Sequence, residues 1–286
     1  MTILNNEPMK NRSSFRTGGT ADVVVLPESI EELVEALGVY KNAVVLGNCT
    51  NTLVTDKGIR GVVVITAGVK GFGLEKNYDD GIITAACGES LNSLATFAMQ
   101  NSLTGLEFSY GIPGTVGGGV FMNAGAYGGE IKDVVEKVTL YSPDKGIYTL
   151  TADEMKFGYR TSIIKQTGDT VVSASFRLKA GNKEEINTKM EEYMALRKLK
   201  QPLEYPSCGS TFKRPQGYYA GRLIEESGLK GASVGGAMVS TKHAGFVINY
   251  DNATSKDILD LINLIKTTVF EKFGVMLEEE VRIIGE

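Results

Sequence analysis

Gly111-Ile-Pro-Gly-Thr-Val-Gly-Gly-Gly-Val-Phe-Met-Asn-Ala-Gly-Ala-Tyr-Gly-Gly129 carries eight glycines in nineteen residues. Interleaved with them are Ile112, Val116, Val120, Phe121 and Met122. A flexible linker has no use for so many large apolar groups, so the segment reads as a packed, fixed loop. Glycine then serves positive φ and close approach of backbone to a ligand. A ligand cradle is the reading; a structural loop is the alternative. A second candidate, Gly47-Asn48-Cys49-Thr50-Asn51-Thr52, directly follows a short apolar strand. Small and amide side chains there let backbone N–H groups converge on an anion, although an ordinary β-turn explains that segment better when it is taken alone. Neither segment is a G-x-G-x-x-G that follows a strand and opens a helix, and no P-loop lysine is present. A Rossmann enzyme and a P-loop NTPase are therefore disfavoured.

Outward from these loops the pattern is α+β. Ala21–Leu26 is a β-rich run ended by Pro27. Ser29 and Glu32 form a capping-box pattern ahead of Ile30, Leu33, Val34 and Leu37 at helical spacing. Ala43–Leu46 and Val62–Thr66 are further apolar strands, and the helix between strands favours a parallel pairing. From Ile82 to Phe176 one helix (Leu91, Leu94, Ala95, Ala98, Met99) lies among short strands, with Val134–Tyr141, Ile147–Leu150 and Thr170–Leu178 the clearest. Glu184–Leu199 is a charged helix with Ile186, Met190 and Met194 on one face. Helices at Tyr218–Glu226 and Lys256–Phe273 are closed by Gly228 and Gly274, and a strand is expected over Leu277–Ile284. The domain reading is 1–66, 67–182 and 183–286, the last opening with the charged helix as a connector.

Composition narrows the function. The chain has 34 glycines, about 12% against roughly 7% for an average protein. A formal net charge of −4 argues against a nucleic-acid partner. Arg197, Lys198, Lys200, Lys213 and Arg214 make a local basic cluster, which is either a solvated face or a site for a small phosphorylated ligand. Three cysteines, Cys49, Cys87 and Cys208, imply no disulfide framework, and the single histidine, His243, removes nearly every His-based metal site. The opening residues are too polar for a signal peptide, and no apolar run approaches the roughly 20 residues of a membrane span. A soluble cytoplasmic protein without a membrane partner is expected, with a monomer as the starting assumption.

Two further segments hold candidate chemistry. In Tyr205-Pro-Ser-Cys-Gly-Ser-Thr-Phe-Lys-Arg-Pro215, Ser210 lies in a Gly-Ser turn with no G-x-S-x-G elbow around it. Cys208 and His243 lack any cysteine-protease signature, and His243 reads as a hydrogen-bonded structural residue. In the terminal strand, period two puts Leu277, Val281 and Ile283 on one side and Glu278, Glu280 and Arg282 on the other. A solvated edge is the plain reading; a carboxyl and a guanidinium shown to one site is the sharper one.

Taken in order, these segments resemble the UDP-N-acetylenolpyruvoylglucosamine reductase (UDP-N-acetylmuramate dehydrogenase) family. The resemblance rests on Ser14-Phe-Arg-Thr-Gly-Gly-Thr-Ala-Asp22, Leu46–Asn51, Gly111–Glu130, Tyr159-Arg160, Gly209–Pro215 and Leu277–Gly285. It implies the FAD-binding fold of the vanillyl-alcohol oxidase and p-cresol methylhydroxylase type, two α+β subdomains, followed by a C-terminal α+β substrate-binding domain. It implies non-covalent FAD with its pyrophosphate against Gly47, Asn48, Cys49, Thr50, Asn51 and Thr52. The second loop would contribute Gly111, Gly114, Thr115, Gly117 and Gly118, then Asn123, Ala124, Gly125 and Gly128. It further implies NADPH as reductant and UDP-N-acetylglucosamine enolpyruvate as substrate, in peptidoglycan synthesis. Arg160, Ser210 and Glu280 match the family's catalytic residues: a charge stabiliser, a proton donor and a protonated hydrogen-bond donor. Tyr127, Tyr159, Lys200, Lys213, Arg214 and Arg282 match positions that contact substrate or its phosphates in relatives. Cys49-Thr50 departs from the Gly-Ser of many relatives. The single helix between Leu178 and Pro202 matches the shorter subfamily, which lacks an inserted tyrosine segment. Two rivals remain at this stage: an oxygen-using oxidase of the same fold, and a non-catalytic flavin or UDP-sugar binding module.

Overall fold

Ser29 starts the first helix as its place before an apolar period predicts. Its hydroxyl accepts from the Glu32 N–H at 3.2 Å, and α1 (Ile30–Val39) buries Leu33, Ala36 and Leu37. The reciprocal half of the capping box is redirected: the Glu32 carboxylate accepts from the Glu28 N–H. The computed structural model describes all residues, 1–286. They form two units, one of Met1–Leu4, Val24–Asn48 and Val62–Arg197, the other of Asn5–Val23, Cys49–Gly61 and Lys198–Glu286.

In the first unit the expected parallel pairing is present, Val44↔Val63 to Leu46↔Ile65. Its main sheet is antiparallel, in the order Gly146–Thr151, Val135–Ser142, Thr170–Ala180, Asp80–Ala86 and Phe72–Lys76, with Leu103–Thr104 also joined to Thr170–Ala180. Alternation places Val138, Leu140, Ala174, Phe176 and Ile83 inside, as period two requires. α2 (Leu91–Gln100) buries Leu91, Leu94, Ala95 and Ala98, the spacing read from sequence. The hairpin joining Phe72–Lys76 to Asp80–Ala86 is closed by Asn77, whose Oδ1 accepts from the N–H groups of Asp79 and Asp80; Tyr78 at its tip is 94% exposed.

The glycine-rich loop was expected to be free of helix, yet Val116–Met122 forms one, α3, capped by the Thr115 hydroxyl on the Gly118 N–H. Three glycines make this a poor helix on propensity. Burial of Val116 and Val120 at 0% exposure and packing on the strand Thr170–Ala180 override that preference. The short helix α4 (Ile164–Thr167) follows, stopped by Gly168 at φ +75°. α5 (Lys183–Lys200) matches the charged helix, with Ile186 and Met190 buried.

The second unit has a three-stranded antiparallel sheet, Ser233–Val234, Ala237–Val239 and Val247–Asn249, with α6 (Ala220–Glu226) and α7 (Ser255–Phe273). α7 is closed at both ends: Thr254 and Asp257 make a full capping box, and Gly274 takes φ +68°. Its Ile258, Leu261, Ile262, Ile265 and Val269 meet Phe15, Leu53, Phe212, Leu223 and Leu277 in one core. The terminal strand is shorter than expected. Only Arg282–Ile284 is strand, paired in parallel with Thr52–Val54, and Ile283 is 43% exposed where period two predicted burial. The reason is that residues 278–280 are already bonded to a different partner, the segment 211–213. No helix is long and apolar enough to cross a membrane.

Phe176 sits at 0% exposure on the central strand. Phe176→Ala should cost about 3–5 kcal/mol in urea unfolding, whereas Thr254→Ala, which removes only a cap, should cost about 1 kcal/mol.

Candidate active site

Two of the three catalytic candidates meet through the backbone of the second unit. Thr211, 2% exposed, is fixed on every side: its N–H donates to the Gly245 carbonyl at 2.9 Å and its hydroxyl accepts from the Val247 N–H at 3.0 Å. Its carbonyl accepts from the Glu280 N–H at 2.8 Å, and the Lys213 N–H donates to the Glu278 carbonyl at 2.8 Å. Phe212 bridges Glu279 in antiparallel sense. This short ladder sets Ser210 beside Glu280. Gly209 takes φ +75° just before Ser210, whose side chain is exposed, while Glu280 is half-buried. The Asn51 amide donates to the Glu280 carbonyl at 3.1 Å, and the Arg282 N–H donates to the Asn51 carbonyl at 3.0 Å. Three separate segments, 49–52, 209–213 and 278–282, thus come to one place.

Arg160 belongs to the first unit and is held there by the glycine-rich loop. Its backbone takes φ +53°, in a tight turn where Gly158 and Thr161 bridge. One Nη2 donates to the Gly125 carbonyl at 3.1 Å, and the guanidinium lies 5.0 Å from the Tyr159 ring centroid. Asn123, fully buried with φ +45°, straps the parts together. Its amide donates to the Gly158 carbonyl and to Glu130, and its Oδ1 accepts from the Lys132 N–H. The Ser162 hydroxyl donates to the Phe121 carbonyl at 2.9 Å. The Arg160 turn and the loop 121–130 are one hydrogen-bonded piece.

The two glycine segments also meet within this unit. A Cβ on Gly47 would run into the Thr115 hydroxyl, and one on Gly117 would meet Cys87 Cβ at 3.1 Å. Neither 47–52 nor 111–129 contains a carboxylate. Glycine backbone, threonine hydroxyls and amides, with no opposing charge, fit the diphosphate of FAD. Gly47 and Thr115 are brought together there, whereas the Asn123 side chain is fully engaged in the strap.

The substrate candidates divide between the units. In the first, Tyr127 is 38% exposed, stacks on Tyr193 at 4.4 Å and takes φ +51°; Tyr159 is 47% exposed. In the second, Lys200 is exposed, Lys213 is ion-paired with Glu278, and Arg214 lies 3.9 Å from the Tyr219 ring centroid. Burial lowers the Arg282 guanidinium from its ordinary value. Sequence reading gave Glu278 no role, and its partner is Lys213. Arg197, placed in the basic cluster read as either a solvated face or a phosphorylated-ligand site, is only 6% exposed. The overlooked signal was its place on the Ile186, Met190 and Met194 face of α5.

The three thiols are buried, and the histidine is bonded within its own turn. Burial pushes the thiols up, Cys49 to about 11 and Cys208 and Cys87 to about 12. Cys208 Sγ bonds the Thr52 carbonyl and the Ser14 hydroxyl, both at 3.3 Å. His243 Nδ1 accepts from the Gly245 N–H at 3.1 Å, and burial lowers its pKa.

A family model described as an FAD binding domain matches residues 21–151. Another, described as the UDP-N-acetylenolpyruvoylglucosamine reductase C-terminal domain, matches residues 201–284. The reductase of that name from Caldanaerobacter subterraneus subsp. tengcongensis is 52% identical over 285 residues, 98% of this chain and 93% of that protein. The chain belongs to the UDP-N-acetylenolpyruvoylglucosamine reductase family. A family member from Lactiplantibacillus plantarum is 48% identical, over 99% of this chain and 94% of its own length. The crystal structure of the Thermus caldophilus reductase superimposes with a TM-score of 0.84 at 34% identity, covering 99% of this chain and 98% of that one. The fold is therefore the FAD-binding fold of the vanillyl-alcohol oxidase and p-cresol methylhydroxylase type, followed by the family's C-terminal domain.

Gly47→Ala should leave the chain folded but release FAD on gel filtration, read as loss of flavin absorbance per mole of protein, because the new methyl pushes Thr115 away. At pH 8 a chromogenic disulfide should label less than one of the three free cysteines in native protein and all of them in denaturant, since each thiol is buried and protonated.

Proposed function

We propose that this chain uses NADPH, through non-covalent FAD, to reduce UDP-N-acetylglucosamine enolpyruvate to UDP-N-acetylmuramate for peptidoglycan synthesis. The observation that carries the reading is the union of Ser210 and Glu280, remote in sequence, through the Glu280 N–H to Thr211 carbonyl bond of 2.8 Å. Residues 1–66 and 67–182 serve FAD, and residues 183–286 serve the nucleotide sugar. The reaction belongs to the cytoplasm, where NADPH and nucleotide sugars are at hand.

FAD, held by Gly47, Asn48, Thr115 and the neighbouring glycines, would supply hydride chemistry between NADPH and the terminal vinyl carbon of the substrate. Negative charge then grows on the adjacent carbon and its carboxylate. Arg160, anchored by Gly125 and Tyr159, stabilises that charge as a fixed cation placed before the reaction starts. Glu280 in its protonated form donates a hydrogen bond to the same carboxylate, and removal from water favours that form. The Ser210 hydroxyl delivers the proton to the carbanionic carbon and recovers it from solvent. A hydroxyl is a weak acid, but an enolate is base enough to take its proton. Tyr127, Tyr159, Lys200, Lys213, Arg214 and Arg282 hold the substrate and its phosphates.

Against an oxygen-using oxidase with a histidyl flavin stands His243, the single histidine, whose Nδ1 is bonded within its own turn. A mere binding module predicts that Arg160, Ser210 and Glu280 are dispensable. The deciding experiment is Ser210→Ala in stopped flow. Reduction of the flavin by NADPH should be retained, while its reoxidation by the enolpyruvyl sugar should fall by about 10²–10⁴-fold, the usual worth of a positioned acid. Equal loss of both half-reactions would make Ser210 structural, and loss of neither would remove it from the mechanism.

A further inference from the structure

Asn51 lies in the segment that sequence gives to the flavin pyrophosphate, yet its side-chain amide is turned to the protein. Its Nδ2 donates to the Glu280 carbonyl at 3.1 Å, and its own backbone carbonyl accepts from the Arg282 N–H at 3.0 Å. A carbonyl only accepts, so the atom facing Glu280 is the amide nitrogen and not its oxygen. The two bonds straddle Val281, which is 4% exposed in the core of the second unit.

Here the end of the chain changes partner. Residues 278–280 bond to 211–213, and Arg282–Ile284 then pairs in parallel with Thr52–Val54. A chain that leaves one ladder for another needs separate anchors at the changeover. Glu280 has them on both sides: its N–H donates to the Thr211 carbonyl at 2.8 Å, and its carbonyl accepts from Asn51. With its backbone fixed by two distant segments, mainly the side-chain torsions of Glu280 are left to set. The Asn51 segment is itself tied down. The Ser14 N–H donates to the Cys49 carbonyl, and Cys208, two residues before Ser210, bonds the Thr52 carbonyl, both at 3.3 Å.

We propose that Asn51 is a positioning residue for the reduction, its amide acting on Glu280 and not on the flavin. The proposal rests on the reductase reading of Glu280 as a hydrogen-bond donor to the substrate carboxylate. A small displacement of that donor is felt when charge develops on the substrate. Flavin reduction by NADPH makes no demand on it. Asn51→Ala removes the amide. Asn51→Asp keeps its shape but offers the Glu280 carbonyl a donor only when protonated, a form that the facing carbonyl favours.

The test follows both half-reactions of the two variant holoenzymes in stopped flow, with FAD retention and Tm recorded. In Asn51→Ala, FAD should be retained and its reduction by NADPH preserved. Reoxidation by the enolpyruvyl sugar should fall about tenfold, the scale of one lost hydrogen bond. In Asn51→Asp the deficit relative to the parent should shrink as pH falls from about 8 to about 5, whereas in Asn51→Ala it should stay constant. Amide exchange at residues 279–282 of the resting holoenzyme should quicken in Asn51→Ala, which checks the clamp without turnover. Should the parent flavin not be reoxidised by the enolpyruvyl sugar, the reductase reading fails, and the exchange result alone decides whether Asn51 holds Glu280. Release of FAD, equal loss of both half-reactions, no loss in either, an aspartate deficit indifferent to pH, unchanged exchange, or failure to fold would each overturn the proposal.

Discussion

The binding geometry of the second unit depends on the fixing of Thr211. Four backbone and side-chain groups meet this one residue: the Gly245 carbonyl, the Val247 N–H, and the N–H groups of Glu280 and, at the outer limit of 3.5 Å, Val281. Because its hydroxyl and both its backbone polar groups are engaged, the neighbouring Ser210 has little freedom of backbone position. In the proposed role of Ser210 as proton donor, a weak acid would need that constraint more than a strong one does, since its contribution rests on being in place when charge develops. The segment that carries Glu280 is held by the same residue, so the two groups cannot drift independently.

Much of the architecture is legible in the chain because it follows simple periods. The apolar spacing of α1, α2, α5 and α7, the Ser29 cap and the Gly274 stop are local signals, and each appears where the sequence puts it. What escapes reading is set by tertiary contacts. α3 contains three glycines in seven residues and is helical only because Val116 and Val120 are buried. The end of the chain alternates like one long strand, but residues 278–280 bond to 211–213 and only Arg282–Ile284 joins Thr52–Val54. The partner of each half lies far away in sequence, where no local pattern can announce it.

The candidate site shows the same division. Arg160, Ser210 and Glu280 stand out through motifs quoted in order, but nothing in those motifs foretells that Asn123 straps the Arg160 turn to its loop. Its amide makes two donor bonds and one acceptor bond, to Gly158, Glu130 and Lys132, all within the first unit. An asparagine in a glycine-rich loop reads as a ligand contact, and here its side chain is a strut. Burial likewise distinguishes Arg197 from its basic neighbours Lys198 and Lys200, although the three look alike on paper.

The hairpin around Asn77 is closed by that residue's own side chain, with Tyr78 standing clear of the protein. The Asn77 side chain satisfies the turn's amides and the Asp79 carbonyl accepts from the Ala180 N–H at 2.9 Å, so additional chain inserted at the exposed Tyr78 should leave the sheet below least disturbed. An affinity handle, a fluorophore or a surface-attachment sequence placed there would report on or immobilise the folded protein without occupying either terminus.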